Sequence, residues 1–208
     1  MRAAFVFLMI LSAASAASSA WAEPVCTVAG VSGEARSAGK LLAKGDGLAE
    51  GAEIRTGAKG RVRLRCVDGS SLVLGDNSQL TLTRYAAAAG EQPRTVALWL
   101  EVGVMGQKVT PGGANGSWEV RTPSAVTAVR GTEFVVEVNA EQTTAVHVDT
   151  GEVAVDSTAK TRSLKHRPPA KLDAKTNGTQ CTASAGCAEA SAWTPDRVKA
   201  LADRLAGV

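Results

Sequence analysis

Residues 61–67, RVRLRCV, place Val62, Leu64 and Cys66 on one side and Arg61, Arg63 and Arg65 on the other. Period-two alternation leaves one face dry and one wet, which a strand satisfies and a helix does not. After Asp68-Gly69 comes SSLVLG, which reads as the returning strand of a hairpin. A two-residue loop would turn Leu72 and Leu74 onto the arginine side, because a one-residue slip inverts every side chain. A three-residue loop over 68–70 keeps them with the apolar face. The pattern favours that register, pairing Cys66 with Leu72 and Leu64 with Leu74.

Short β-like runs separated by Gly, Asp or Asn turns continue over 25–155. Further strands are expected at 25–31, 52–56, 79–83, 95–104, 118–122, 133–139, 144–149 and 152–155. Many short strands at close spacing imply an all-β sandwich, roll or barrel. EIRTG at 53–57 and EVRTP at 119–123 echo each other 66 residues apart, which fits two related β layers. Within 117–138 the apolar positions Val126, Ala128, Val129, Phe134, Val136 and Val138 suit a half-buried strand. Arg130, Gly131, Thr132 and Glu133 interrupt them, so this charged quartet is either a site or a structural device.

The ends carry different signals. Arg2, the apolar run 3–11 and Ala20-Trp21-Ala22 form the charged region, apolar core and A-x-A site of a secretory leader. A run of nine apolar residues falls short of the ~20 that span a bilayer, so neither a retained anchor nor membrane insertion is expected. Cys26 lacks the small-residue motif of a lipidated cysteine. Cleavage after Ala22 makes the expected mature chain start at Glu23, in the periplasm. Loss of Arg2 reduces 23 basic residues to 22, against 20 acidic ones, an excess too small to favour nucleic acid. Five aromatic residues remain after the leader, Tyr85, Trp99, Trp118, Phe134 and Trp193. So few stacking platforms count against sugar and single-strand binding surfaces.

The organisation expected is a leader at 1–22, a β domain at 23–158, a basic extension at 159–192 and a helix at 193–208. Over 160–175 of the extension Lys160, Arg162, Lys165, Arg167, Lys171 and Lys175 face one acid, Asp173. It reads as a solvated segment crossing the β domain, with a tether for an anionic envelope polymer as the functional alternative. Asn115-Gly116-Ser117 and Asn177-Gly178-Thr179 match glycosylation sequons but read as Asn-Gly turns. Thr194 as N-cap, Pro195 at the first helical position and a Trp193–Val198 staple mark a short helix. Its stripe of Val198, Leu201 and Leu205 should dock on the chain's own β domain.

Four cysteines in an exported chain point to disulfides. Cys181 and Cys187 enclose a short polar loop, which leaves Cys26 to pair with Cys66. Metal binding is the rival reading, but there is no CxxC pair, and His147 and His166 are not near a cysteine in sequence. No metal site, cofactor or catalytic residue is expected. His147 and Asp149 share a strand face, as an oriented base would, yet no nucleophile carries a local signature. The glycine-rich TPGGANGSW lacks the lysine and following helix of a phosphate loop.

The order of motifs resembles a FecR domain over about 28–155. It is carried by Gly45-Asp46, EIRTG, VDGSSLVLG with Asn77-Ser78 after it, LWLEVGVM, EVRTPSAVTAVRGTEF and TTAVHVDTGEVAV. The resemblance implies a jelly-roll-like β structure in the periplasm. The family's founding type is a membrane-anchored transducer that contacts an outer-membrane receptor; this chain shows neither the cytoplasmic tail nor the membrane helix. What the resemblance implies here is the binding module alone, engaging an envelope protein in sensing or assembly. Peptidoglycan or polysaccharide is the competing ligand class. The motif residues are Arg121, Thr122, Pro123, Arg130, Gly131, Thr132 and Glu133, and a structural role is assigned to them. Gly131 is expected to form a bulge, with Arg130 clamping the carbonyls that the bulge frees.

Overall fold

A computed structural model describes residues 23–113, 115–159 and 168–208. The expected leader, His166 and the basic residues Lys160, Arg162, Lys165 and Arg167 lie outside them. The fold is all-β with one short C-terminal helix. In chain order the strands are β1 Pro24–Ser32, β2 Ala35–Ser37, β3 Lys40–Leu41, β4 Gly47–Ala49, β5 Glu53–Thr56 and β6 Arg61–Cys66. Next come β7 Ser71–Leu74, β8 Gln79–Ala86, β9 Thr95–Lys108, β10 Ser117–Arg121, β11 Ala125–Val129 and β12 Glu133–Val138. β13 Thr144–Thr150, β14 Val153–Ser157, β15 Ala170–Leu172, β16 Gly178–Thr182, β17 Gly186–Cys187 and α1 Pro195–Leu205 complete the chain.

These strands form two sheets that share β9. One, sheet A, has the order β17–β16–β13–β12–β9–β7–β6–β1–β4 and is antiparallel throughout. The other, sheet B, has the order β15–β14–β11–β10–β9–β8–β5–β2–β3, with β9 and β10 parallel. β9 passes between them at Gly103: Val102 still pairs with Gln79, and Gly103 pairs with Val138. Between the sheets lies a single core that includes Val28, Leu64, Leu72 and Phe134 from one and Ile54, Leu80, Leu98 and Val155 from the other. Burying each such aliphatic or aromatic side chain contributes about 1.5–3 kcal/mol relative to exposure, and this core holds the layers together.

The expected hairpin keeps its facing but not its register. Leu64 pairs with Leu72 and Val62 with Leu74, and the amide of Cys66 donates to the carbonyl of Ser70. The three-residue loop is therefore Val67, Asp68 and Gly69, which turns the Asp68 carboxylate back toward the protein. The two echoing segments are β5 and β10, and both lie in sheet B. Each shows an exposed Glu–Arg ion pair, Glu53 with Arg55 and Glu119 with Arg121. Each ends in a buried threonine, Thr56 or Thr122, whose hydroxyl accepts a backbone amide.

From residue 170 the expected surface extension instead continues both sheets. β15 pairs with β14 and buries Leu172; β16 pairs with β13 and buries Thr179 and Cys181. The two expected cysteine pairs are in disulfide contact. Cys26 faces Cys66 across β1 and β6, and Cys181 faces Cys187 across β16 and β17. α1 docks on the outer face of sheet A, where Leu201 and Leu205 pack with Val104, Val135 and Trp193. Trp193 stacks on His147 with ring centroids 5.5 Å apart, and its amide donates to Asn177 Oδ1. Thr194 supplies no side-chain cap; its carbonyl instead accepts the amides of Arg197 and Val198.

Candidate functional site

The charges of this domain fall into three settings, and burial separates them. The first is inside. Asp68 accepts hydrogen bonds from the Ser70 amide (3.0 Å), Ser70 Oγ (2.8 Å), Tyr85 Oη (2.7 Å) and Arg94 Nη1 (2.9 Å). Arg94 is 3% exposed, donates also to the Thr110 carbonyl and lies 5.2 Å from the Trp118 ring centroid. Trp118 in turn donates to Gln107 and meets Tyr85 edge-on. Burial pushes the Asp68 carboxyl upward, but the bonds from Tyr85, Ser70 and Arg94 outweigh it and hold the group below the usual carboxylate range. The same burial and the facing carboxylate keep the Tyr85 phenol protonated. This cluster fastens the β6–β7 loop, the start of β9 and residue 110, with Arg94 Nε and Gln107 Nε2 buried without a hydrogen-bond partner. Arg94, a lone basic residue ahead of an apolar run, carries no signal in the sequence for this role.

The second setting is the motif quartet, which joins β11 in sheet B to β12 in sheet A. It is thus a crossover between sheets, not a bulge within one strand; the register irregularity comes one step later, between Glu133 and Phe134. Gly131 has φ +77°, and a Cβ there would lie 2.9 Å from Pro111 Cγ and 3.0 Å from Pro111 Cα. Thr132 is buried, and its carbonyl accepts the Val109 amide; Glu133 lies 3.6 Å from Lys108. Arg130 does not clamp the carbonyls. It is exposed and makes no hydrogen bond or ion pair among the described residues. Earlier in the motif, Thr122 Oγ1 lies 2.7 Å from Thr144 Oγ1 and bonds the Ala125 amide, and the Pro123 carbonyl accepts Thr158 Oγ1.

Arg130 stands at a groove on the outer face of sheet B. Register places Glu119 opposite Ala128, Ala128 opposite Ala154 and Ala154 opposite Lys171. Two alanines between longer side chains leave a trough of about 610 Å³, whose lining also includes Arg130, Glu152 and Asp173. Asp173 has its carboxylate fixed by the amides of Thr176 and Lys175, which lower its pKa. No described element packs over Ala128, Arg130 or Lys171, all exposed. The trough offers a fixed pattern of two cations and three carboxylates around a small-residue floor.

The third setting is the arginine row of β6, the wet side of the alternation. Two of the three hold the C-terminal segment. Arg61 Nε donates to the Arg204 carbonyl (2.7 Å) and Arg63 Nε to the Val208 carbonyl (2.8 Å). His147, 3% exposed, places Nε2 3.2 Å from Asp149 Oδ1 and lies in sheet A, apart from the trough. Among the described residues no three His, Cys, Asp or Glu side chains gather as metal ligands. No described helix is long and apolar enough to cross a membrane.

Residues 52–154 match the model of the family described as FecR protein, and the chain carries a FecR domain there. Two crystal structures of a candidate anti-sigma factor from Parabacteroides distasonis are similar to it. One, at 2.50 Å, has a TM-score of 0.51 and 19% identity; the other, at 1.65 Å, has 0.50 and 22%. Each similarity covers 67% of this chain and 60% of that one, so the chain spans less than two thirds of those structures. At such identities the likeness is one of fold. No curated protein matches the chain.

Proposed function

We propose that this chain is a non-catalytic binding module of the cell envelope, acting in sensing or assembly, and that the sheet B trough receives a protein partner. Arg130 carries the reading. It belongs to the motif that defines the resemblance, yet it stands exposed and unpaired at the edge of a shaped trough. An arginine retained for folding would be expected to bond inward, as Arg94 does. Paired cysteines and the expected leader fit a periplasmic location. The carboxylates of Glu119, Glu152 and Asp173 in the same trough oppose an anionic polymer, so a protein surface of mixed charge is the better match.

A photo-reactive residue placed at Ala128 or Ala154 in native cells tests this. We expect one discrete adduct from either position and none from Lys199, on the solvent side of α1. Equal adducts from all three positions, or none from the trough, would defeat the reading.

A further inference from the structure

The outer face of sheet A differs from that of sheet B because a helix already sits on it, and the fit is incomplete. α1 has 11 residues, lacks a side-chain cap at Thr194 and ends in an extended residue at Ala206. A helix this short is marginal by itself. Its apolar contacts form a small cluster separate from the core, in which Leu201 is its one fully buried side chain. Gly106 forms part of the floor: a Cβ there would come within 2.8 Å of Leu205 Cδ1. Alongside Leu201, Ala202, Leu205 and Ala206 a groove of about 320 Å³ stays unfilled, walled by Val73 and Val135 and lined also by Arg63, Lys108, Glu133 and Asp149. Charge adds to the hold on α1. Arg204 Nε lies 2.9 Å from Asp76 Oδ1, and Nη1 bonds Glu137.

We infer that this face is a groove for an amphipathic helix of another protein, closed here by α1 as a stand-in. The face specifies the occupant's chemistry. It has two leucines four residues apart, an arginine directly before the second for Asp76 and Glu137, and bulky apolar residues where α1 has Ala202 and Ala206. Larger side chains at those two positions would fill the vacant 320 Å³ and let the partner outcompete α1. Arg61, which holds α1 by the Arg204 carbonyl, would hold another helix end equally, because a carbonyl carries no sequence identity. The groove lies on the opposite sheet from the trough, so either assignment can fail alone.

The test uses the full chain and a fluorescent synthetic peptide of residues 193–208 carrying Ala202→Leu and Ala206→Leu. Saturable binding is expected, about tenfold tighter to a Leu201→Asp, Leu205→Asp protein, in which the competing α1 is weakened. Arg204→Glu in the peptide should cost about tenfold or more. Absence of saturable binding, or indifference to Arg204→Glu, would overturn the inference. Hydrogen exchange of the unaltered protein decides the matter if the double variant does not fold. α1 amides should exchange about tenfold or more faster than those of β12; equal protection would mean that α1 never opens and would overturn it. A dimer made by exchanging α1 between copies, detected by light scattering, would overturn the assignment to another protein.

Discussion

Arg94 and Arg130 are the same residue type in opposite circumstances. Arg94 is 3% exposed and bound to Asp68 and to the Thr110 carbonyl; Arg130 is exposed and bound to nothing described. The difference shows where a motif charge goes when the fold does not need it. The interior already has its cation, held through Nη1 between two loops and against a tryptophan ring, so the crossover arginine is left to the surface. Substitutions at the two places should therefore separate folding from binding.

The largest effect is expected from Arg94→Ala. It leaves Asp68 buried without its charge partner, which costs about 3–5 kcal/mol, read by urea unfolding. Pairing it with Asp68→Ala should cost less than the sum of the single changes, because the two groups share one network. Additive costs would break the comparison from the interior side.

Next comes Gly131→Val. Positive φ and the approach to Pro111 should together cost about 1–3 kcal/mol. Gly131 is the part of the quartet that the fold requires, so it should resemble Arg94 in effect and not its neighbour Arg130. A neutral Gly131→Val would show that the crossover is plastic.

Acid sharpens the contrast further. The folded Asp68 carboxyl lies below the usual carboxylate range. A depressed carboxylate contributes stability that is present above the unfolded pKa and lost as pH falls through the folded one. Unfolding free energy should therefore drop on acidification below about pH 4, and Asp68→Asn should flatten that limb. Arg130→Ala should leave its shape unchanged.

Much of this was legible in the sequence, and the failures have physical reasons. Alternation in RVRLRC gave the correct facing of Val62, Leu64 and Cys66. It could not give the register, because both three-residue loops preserve facing. Asp68 decided that, by reaching Tyr85 and Arg94, which are distant in sequence. β9 was expected to stop at 104 and runs to Lys108, since at Gly103 it changes sheets without ending. β15 and β16 carry no strand signal because AKL has only three residues and GTQCT is mostly polar; pairing with β14 and β13 and the Cys181–Cys187 bond make them strands. The trough was invisible for a related reason. Ala128, Ala154 and Lys171 become neighbours only after three strands are set in register.

The smallest stability effect belongs to Arg130→Ala, and it bears most directly on the account. The measurement combines thermal melting of that variant with its photo-adduct yield from Ala128 in native cells. Stability within about 0.5 kcal/mol of the unaltered protein is expected together with loss of the adduct. Lowered melting with the adduct retained would return Arg130 to the scaffold and contradict it.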